Sequence, residues 1–201
     1  MPLQLLSSVF AGESVPSPQW SASEPNMLII VTGIIGIGKT TVCRKLIELV
    51  RWHGHSCGGI LAYTASGETI IIEDIQTGEK ETLASTKRVY PGPHTPRYSF
   101  SPKGIDFGIR AIDKGASTEL LVVDELGHLE LRGEGFVRAL ELIRADKVKN
   151  CILVIRNGLL TVFLPRLPTT PLVFEVTESS RNQLPQDIGS TLLNKVAIKE
   201  C

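Results

Sequence analysis

The sequence is poor in the features that mark secreted, membrane or nucleic-acid-binding proteins. Its 201 residues include four cysteines with no C-x-x-C pair, which argues against a disulfide framework or zinc knuckle and favours reduced thiols in the cytoplasm. No apolar run approaches the ~20 residues of a membrane span, and the first residues lack the basic charge of a signal peptide, so we expect no membrane association. Lys plus Arg and Asp plus Glu both number 21, so no bulk positive field is available to attract nucleic acid. Any anion-binding site must therefore be local.

Composition divides the chain into a short extension and one domain. The stretch Glu13–Asn26 is rich in Pro and Ser, which is typical of a segment that is poorly ordered or lies along the surface. The remainder is long enough to bury a substantial core. We therefore expect an N-terminal extension at residues 1–26, partly disordered, and a single domain at residues 27–201.

Strand-like and helix-like patterns alternate along this domain. Continuous apolar runs predict four buried strands, at Met27–Thr32, Glu119–Asp124, Cys151–Arg156 and Pro171–Val176. Helical periodicity lies between and after them, at Lys39–His53, Ile105–Asp113, Gly135–Asp146 and Pro185–Val196. Strands separated by helices predict an α/β fold: a three-layer sandwich with a mostly parallel sheet flanked by helices.

Two further segments interrupt this alternation. Strand-like sequences on either side of a turn predict an antiparallel ribbon at about residues 58–84, inserted on the sheet. The proline-rich segment Tyr90–Pro102 predicts a loop.

A glycine-rich segment follows the first predicted strand and opens the first predicted helix. It reads Gly33-Ile-Ile-Gly-Ile-Gly38-Lys39-Thr40 and fits the P-loop (Walker A) pattern G-x-x-x-x-G-K-[ST] in its required context. Glycines let backbone N–H groups turn towards a phosphate, Lys39 is expected to reach the β- and γ-phosphates, and the Thr40 hydroxyl to bind Mg²⁺. The alternative, a chance glycine-rich turn, is disfavoured by the complete pattern. The residues predicted to contact nucleotide here are Gly33, Gly36, Ile37, Gly38, Lys39, Thr40 and Thr41.

A pair of carboxylates ends the second buried strand. Asp124 lies where ligands sit in open α/β sheets, and is expected to hold Mg²⁺ through its water shell. Glu125 follows and is expected to polarise an attacking water. An ordinary charged turn would look similar, but the P-loop elsewhere in the chain favours the catalytic interpretation. The chain has no convincing N-K-x-D guanine-binding motif, and the adjacent glutamate argues against a switch GTPase.

Together these residues resemble the THEP-type nucleoside-triphosphatases. The family signature D-E-[IL]-G-x-[ML]-E-L, followed shortly by Phe, is matched from Asp124 to Leu131 and by Phe136. Weaker similarity extends over Arg97-Tyr98 and over Val176–Pro185, which is similar to a closing V-T-x-x-N-R-D-x-L-P. The resemblance implies a P-loop NTPase fold and Mg²⁺-dependent hydrolysis of ATP, GTP or other nucleoside triphosphates at modest speed and with a broad base range.

This chain also departs from the family pattern. The segment after Gly58-Gly59-Ile60 is shorter and more apolar than in relatives, so contacts from residues 61–72 are expected to differ, and the first 26 residues have no counterpart.

Several charged residues admit two interpretations each. The resemblance places Glu130 beside the active site, where it would fix Lys39 or the metal shell; the alternative is a solvated charge after a strand. Three arginines could neutralise charge during phosphoryl transfer: Arg97, Arg132 and Arg181. Arg181 is also a candidate to stack on the base.

Two other functions compete with hydrolysis. A small-molecule P-loop kinase would need an arginine-rich lid, and the segment after the third predicted strand offers only Arg166. A nucleotide-binding regulatory module with slow turnover is the second alternative, favoured by the N-terminal extension and the short ribbon.

Overall fold

The computed structural model describes residues 26–65 and 67–193. The predicted disorder of the N-terminal extension therefore falls outside the described residues, apart from Asn26. The last residues of the helix predicted at 185–196 also lie outside them.

One eight-stranded sheet forms the centre of the molecule, with the strand order β5-β4-β3-β2-β6-β7-β1-β8. The pairs β2–β6, β6–β7, β7–β1 and β1–β8 are parallel. The pairs β2–β3, β3–β4 and β4–β5 are antiparallel. The strands are β1 Met27–Gly33, β2 Cys57–Thr64, β3 Thr69–Asp74, β4 Lys80–Ser85, β5 Ser99–Phe100, β6 Leu120–Leu126, β7 Asn150–Arg156 and β8 Leu172–Glu175. The antiparallel ribbon thus extends the edge of the same sheet, and β2 belongs to both parts.

Helices cover both faces of this sheet. They are α1 Lys39–Trp52, α2 Pro102–Gly115, α3 His128–Leu131, α4 Val137–Arg144, α5 Leu160–Phe163 and α6 Leu184–Leu193, with single 3₁₀ turns at Asn157–Leu159 and Leu164–Arg166. Within residues 26–65 and 67–193, none of these helices has the length and apolar character needed to cross a bilayer.

Alternate residues of the central strands divide the core into two clusters. Ile29 and Val31 of β1 pack with α1 and α6, whereas Ile30 packs with residues of α2 and α4 on the opposite face. A strand that is apolar on both sides is expected only between two helical layers. The predicted three-layer sandwich is therefore confirmed.

Two local predictions need correction. The strand predicted at Pro171–Val176 as buried is β8, which within residues 26–65 and 67–193 pairs with β1 alone at the edge of the sheet. Its Leu172 and Val173 are 45% and 44% exposed. The segment predicted as a loop, Tyr90–Pro102, contains the short β5 and the first residue of α2. Ser101 caps this helix by accepting a hydrogen bond from the Gly104 N–H, and Pro102 occupies the first turn, where no backbone donor is needed.

The sheet order brings three strand ends together. β7 lies between β1 and β6, and its residues Ile155 and Arg156 stand in register with Leu126 and Gly33 respectively. Because all three strands are parallel, the P-loop, the carboxylate pair and the end of β7 meet at one edge of the sheet.

Candidate active site

The P-loop adopts a backbone that only glycine accepts readily. Gly33, Gly36 and Gly38 have φ angles of 147°, 79° and 110°. A Cβ on Gly33 would also approach the Val176 carbonyl oxygen to 2.8 Å. Gly38 precedes α1, whose first turn has no side-chain cap and no acidic residue, so its N–H groups face the loop without a competing carboxylate.

Lys39 lies at the centre of this loop. Its side chain is 7% exposed, and Nζ donates hydrogen bonds to the carbonyl oxygens of Gly33 at 3.1 Å and Ile34 at 3.0 Å. The ammonium also lies 3.8 Å from Glu125 Oε2. The charge is therefore held inside the loop by groups that a phosphate can replace.

Asp124 lies near the carboxyl end of the central strand β6, Leu120–Leu126, and its carboxyl group is buried. Asp124 is 2% exposed, and among the residues that the structure describes its Oδ2 has no hydrogen-bond partner. Burial raises the pKa of Asp124 to about 7 and the charge of Glu125 adds to this, while the Thr40 hydroxyl and the Lys39 ammonium oppose the rise. The Thr40 hydroxyl also donates to the Ala62 carbonyl oxygen at 3.3 Å.

These groups fit a hard cation that keeps most of its water. A buried carboxylate oxygen without a partner, next to a hydroxyl, is the donor set that Mg²⁺ uses when substrate phosphates complete its shell. Within the part of the chain that the structure describes, no three His, Cys, Asp or Glu side chains gather as a self-sufficient metal site. The three cysteines there, Cys43, Cys57 and Cys151, are buried thiols without disulfide partners.

Glu125 stands between two cations. Its Oε1 accepts a hydrogen bond from Arg156 Nε at 2.5 Å, and its other oxygen faces Lys39. The sequence-based reasoning missed Arg156. The signal was present, because Arg156 ends the apolar run of β7 as Asp124 ends that of β6.

These side chains line a cavity of about 270 Å³. It combines six of the predicted residues with six others: Gly36, Gly38, Lys39, Thr40, Asp124 and Glu125, joined by Ile35, Ala62, Tyr63, Thr64, Ile70 and Arg156. Four of the added residues come from β2 and β3, so the short ribbon forms one wall of the cavity.

Four predicted nucleotide-contacting residues do not line this cavity. Gly33 contributes its carbonyl oxygen to Lys39, and Ile37 packs against the core. Thr41 and Arg181 are exposed, with Arg181 in the segment after β8. Their contacts with nucleotide remain predictions.

Glu130 does not have a solvated position. It is 4% exposed, and its carboxylate accepts hydrogen bonds from the N–H groups of Gly127 at 2.6 Å and Phe136 at 2.7 Å. Burial raises its pKa, and these two hydrogen bonds oppose the rise. The interpretation of Glu130 as a solvated charge is wrong, since the side chain closes the loop that follows Glu125.

The three arginines proposed to neutralise charge lie away from the cavity. Arg97 is exposed and covers the Tyr98 ring, with 5.2 Å from its Cζ to the ring centroid. Arg132 donates to the His94 carbonyl oxygen at 3.1 Å and to Glu134 at 2.9 Å. None of Arg97, Arg132 and Arg181 lines the 270 Å³ cavity.

This protein is a P-loop NTPase by its fold and site. The P-loop follows β1 and contains a buried lysine, and an Asp-Glu pair lies near the carboxyl end of β6. Comparison with known proteins narrows the class. A family model described as NTPase matches residues 28–189. The chain belongs to the THEP-type nucleoside-triphosphatase family.

Individual relatives agree with this assignment. The chain is 30% identical over 168 residues to nucleoside-triphosphatase THEP1 of Methanosarcina barkeri, covering 81% of this chain and 95% of that protein. It is 32% identical over 176 residues to the protein of the same name from Thermotoga maritima, covering 83% and 95% respectively. The crystal structure of THEP1 from the hyperthermophile Aquifex aeolicus shares the fold, with a TM-score of 0.62, 24% identity, and coverage of 83% of this chain and 99% of that one.

Proposed function

We propose that this protein hydrolyses nucleoside 5′-triphosphates to the diphosphate and phosphate, with Mg²⁺ as cofactor and a broad range of bases. The observation that carries the proposal is the convergence of Lys39, Asp124 and Glu125 on one cavity of about 270 Å³. Relatives named nucleoside-triphosphatase support the reaction class.

Phosphate binding begins with the P-loop. Lys39 Nζ exchanges the carbonyl oxygens of Gly33 and Ile34 for oxygens of the β- and γ-phosphates. The N–H groups at the start of α1 add donors and the positive end of the helix dipole. Charge-assisted hydrogen bonds thus hold the triphosphate.

Thr40 and Asp124 are the residues that would hold Mg²⁺, the hydroxyl directly and the carboxylate through water. When bound, the ion neutralises charge on the phosphate oxygens. A cation beside Asp124 also favours its ionised form over the protonated form that burial promotes.

Glu125 acts on the attacking water. Its carboxylate orients the water and accepts its proton as the water oxygen bonds to the γ-phosphorus, and the bond to the bridging oxygen breaks, releasing the nucleoside diphosphate. Lys39 neutralises the charge that develops on the phosphate oxygens. The lack of an N-K-x-D motif in the sequence supports a broad range of bases.

One experiment tests the proposal. Phosphate release is measured with ATP, GTP, CTP and UTP, with Mg²⁺ or with EDTA, and in the absence of any phosphate acceptor. We expect turnover of all four nucleotides with Mg²⁺ and none with EDTA.

Glu125→Gln is the decisive variant in this assay. It should lower kcat by roughly 10²-fold or more, while nucleotide affinity stays within a few-fold. Glu141→Gln, which changes an exposed carboxylate on α4, is the matched control and should leave kcat unchanged. Hydrolysis by Glu125→Gln at the wild-type rate would contradict the mechanism.

A further inference from the structure

We infer that Arg156 is a positioning residue for hydrolysis: it holds the Glu125 carboxylate in the orientation that directs the attacking water. This inference rests on the proposed function, because it needs Glu125 to act on water. The family resemblance does not include Arg156.

The two carboxylate oxygens of Glu125 have different partners, Arg156 and Lys39. Arg156 Nε donates to Oε1 at 2.5 Å, whereas Oε2 lies 3.8 Å from Lys39 Nζ. A hydrogen bond between two ionised groups is shorter and about twice as strong as a neutral one. Arg156 therefore fixes one oxygen and leaves the other directed into the cavity.

Arg156 remains with Glu125 when nucleotide binds. In the ion pairs of residues 26–65 and 67–193, Glu125 has two partners, Lys39 and Arg156. Lys39 must turn to the phosphates, so its attraction for Glu125 is shared with the substrate. Without Arg156, the carboxylate would face the negative triphosphate with no cation committed to it.

The backbone of Arg156 is held in place by strand pairing on both sides of β7. Its backbone is in register with Gly33 of β1, and the preceding residue pairs with Leu126 of β6. The following residue, Asn157, donates to Glu175 at 3.1 Å and so ties the end of β7 to β8. A guanidinium held at this strand end can position Glu125 within the tolerance that catalysis needs.

The solvent exposure of the Arg156–Glu125 ion pair argues against a role of Arg156 in folding stability. The Arg156 and Glu125 side chains are 40% and 22% exposed. Ion pairs at this level of exposure contribute little to folding. Removing Arg156 should therefore leave the protein folded and lower kcat.

Steady-state kinetics of Arg156→Gln test the inference. We expect kcat for ATP to fall by roughly 10- to 10²-fold with KM within about threefold, because the change affects the chemical step and not ground-state binding. Arg156→Lys should recover part of the loss, since it restores the charge. Arg138→Gln is the matched control: Arg138 is 43% exposed and pairs with two carboxylates on the helical surface, so its removal should leave kcat unchanged.

A double-mutant cycle with Glu125→Gln gives the sharper result. If Arg156 acts through Glu125, adding Arg156→Gln to Glu125→Gln should cost less than about threefold in kcat. A full additional loss in the double variant would place Arg156 directly on the phosphate and overturn the inference, as would an unchanged kcat in Arg156→Gln alone. Failure of the proposed function looks different, since the wild-type protein would then release no phosphate or Glu125→Gln would retain full activity.

Discussion

Two cavities of this molecule differ in size and in the state of their polar groups. The larger, about 780 Å³, lies between the proline-rich segment 91–96 and the loop after α3, and includes Arg88, Arg132 and Glu134. Its arginines are engaged: Arg88 donates to the Pro96 carbonyl oxygen, and Arg132 to the His94 carbonyl oxygen and to Glu134. The smaller, about 270 Å³, contains a buried lysine and a buried carboxylate with one oxygen unpaired.

The difference shows why volume is a poor guide to function here. The larger cavity is lined by exposed and half-buried residues, and its two arginines already bond to protein oxygen atoms. The smaller cavity holds the side chains of Asp124 and Lys39 away from solvent, where desolvation of a charged group is unfavourable, and a bound ligand can offset that cost. Groups poised in this way mark the site of chemistry.

The largest effect is expected for Lys39→Ala. Losing the ammonium removes charge-assisted hydrogen bonds to the phosphates, and nucleotide affinity should fall by roughly 10²-fold or more. Equilibrium titration with labelled ATP measures this, with Lys45→Ala, an exposed lysine of the same helix, as control. Tight ATP binding by a folded Lys39→Ala protein would contradict the assignment of the smaller cavity as the phosphate-binding site.

The second prediction concerns the pH dependence of stability. The folded-state pKa of Asp124, about 7, is above its ordinary value, so the native protein holds this proton more tightly than the unfolded chain. Ionisation of Asp124 therefore lowers the free energy of unfolding progressively from about pH 4 to pH 7, and by a constant amount above pH 7. Asp124→Asn abolishes the titration and should be more stable than wild type at pH 8 by roughly 2–4 kcal/mol, with little difference near pH 4.

Urea unfolding at both pH values, with EDTA and without nucleotide, measures this difference. Asp113→Asn, an exposed carboxylate paired with Arg138, is the control and should show no comparable pH dependence. A stability difference between Asp124→Asn and wild type that is the same at pH 4 and pH 8 would show that Asp124 ionises normally in the folded protein.

The smallest effect is expected in the larger cavity. Arg132→Gln removes an exposed ion pair, so kcat for ATP should stay within about twofold and stability within about 1 kcal/mol of wild type. Phosphate release and thermal unfolding measure the two quantities. A tenfold loss of kcat would mean that this cavity takes part in the reaction after all.

Much of the fold was predictable because its elements are local. The antiparallel ribbon predicted at about residues 58–84 matches β2, β3 and β4, which begin at Cys57 and end at Ser85. The helix predicted at Lys39–His53 ends one residue earlier, at Trp52. The sequence pattern could not distinguish an edge strand of the sheet from a central one. The apolar Leu172 and Val173 predict a buried strand, yet in the described part of the chain β8 has a neighbouring strand on one side only. Hydrophobicity does not encode strand order.

The phosphate-binding loop and the Asp-Glu pair are predictable from the amino-acid sequence, because each is a contiguous segment whose chemistry depends on neighbours in the chain. The rest of the site depends on the three-dimensional fold. Arg156 meets Glu125 because β7 lies between β1 and β6, and the ribbon reaches the cavity because β2 pairs with β6. Likewise, Glu130 is buried because its own loop folds back over it. Contacts between residues far apart in sequence follow from strand order and loop closure, which no local pattern specifies.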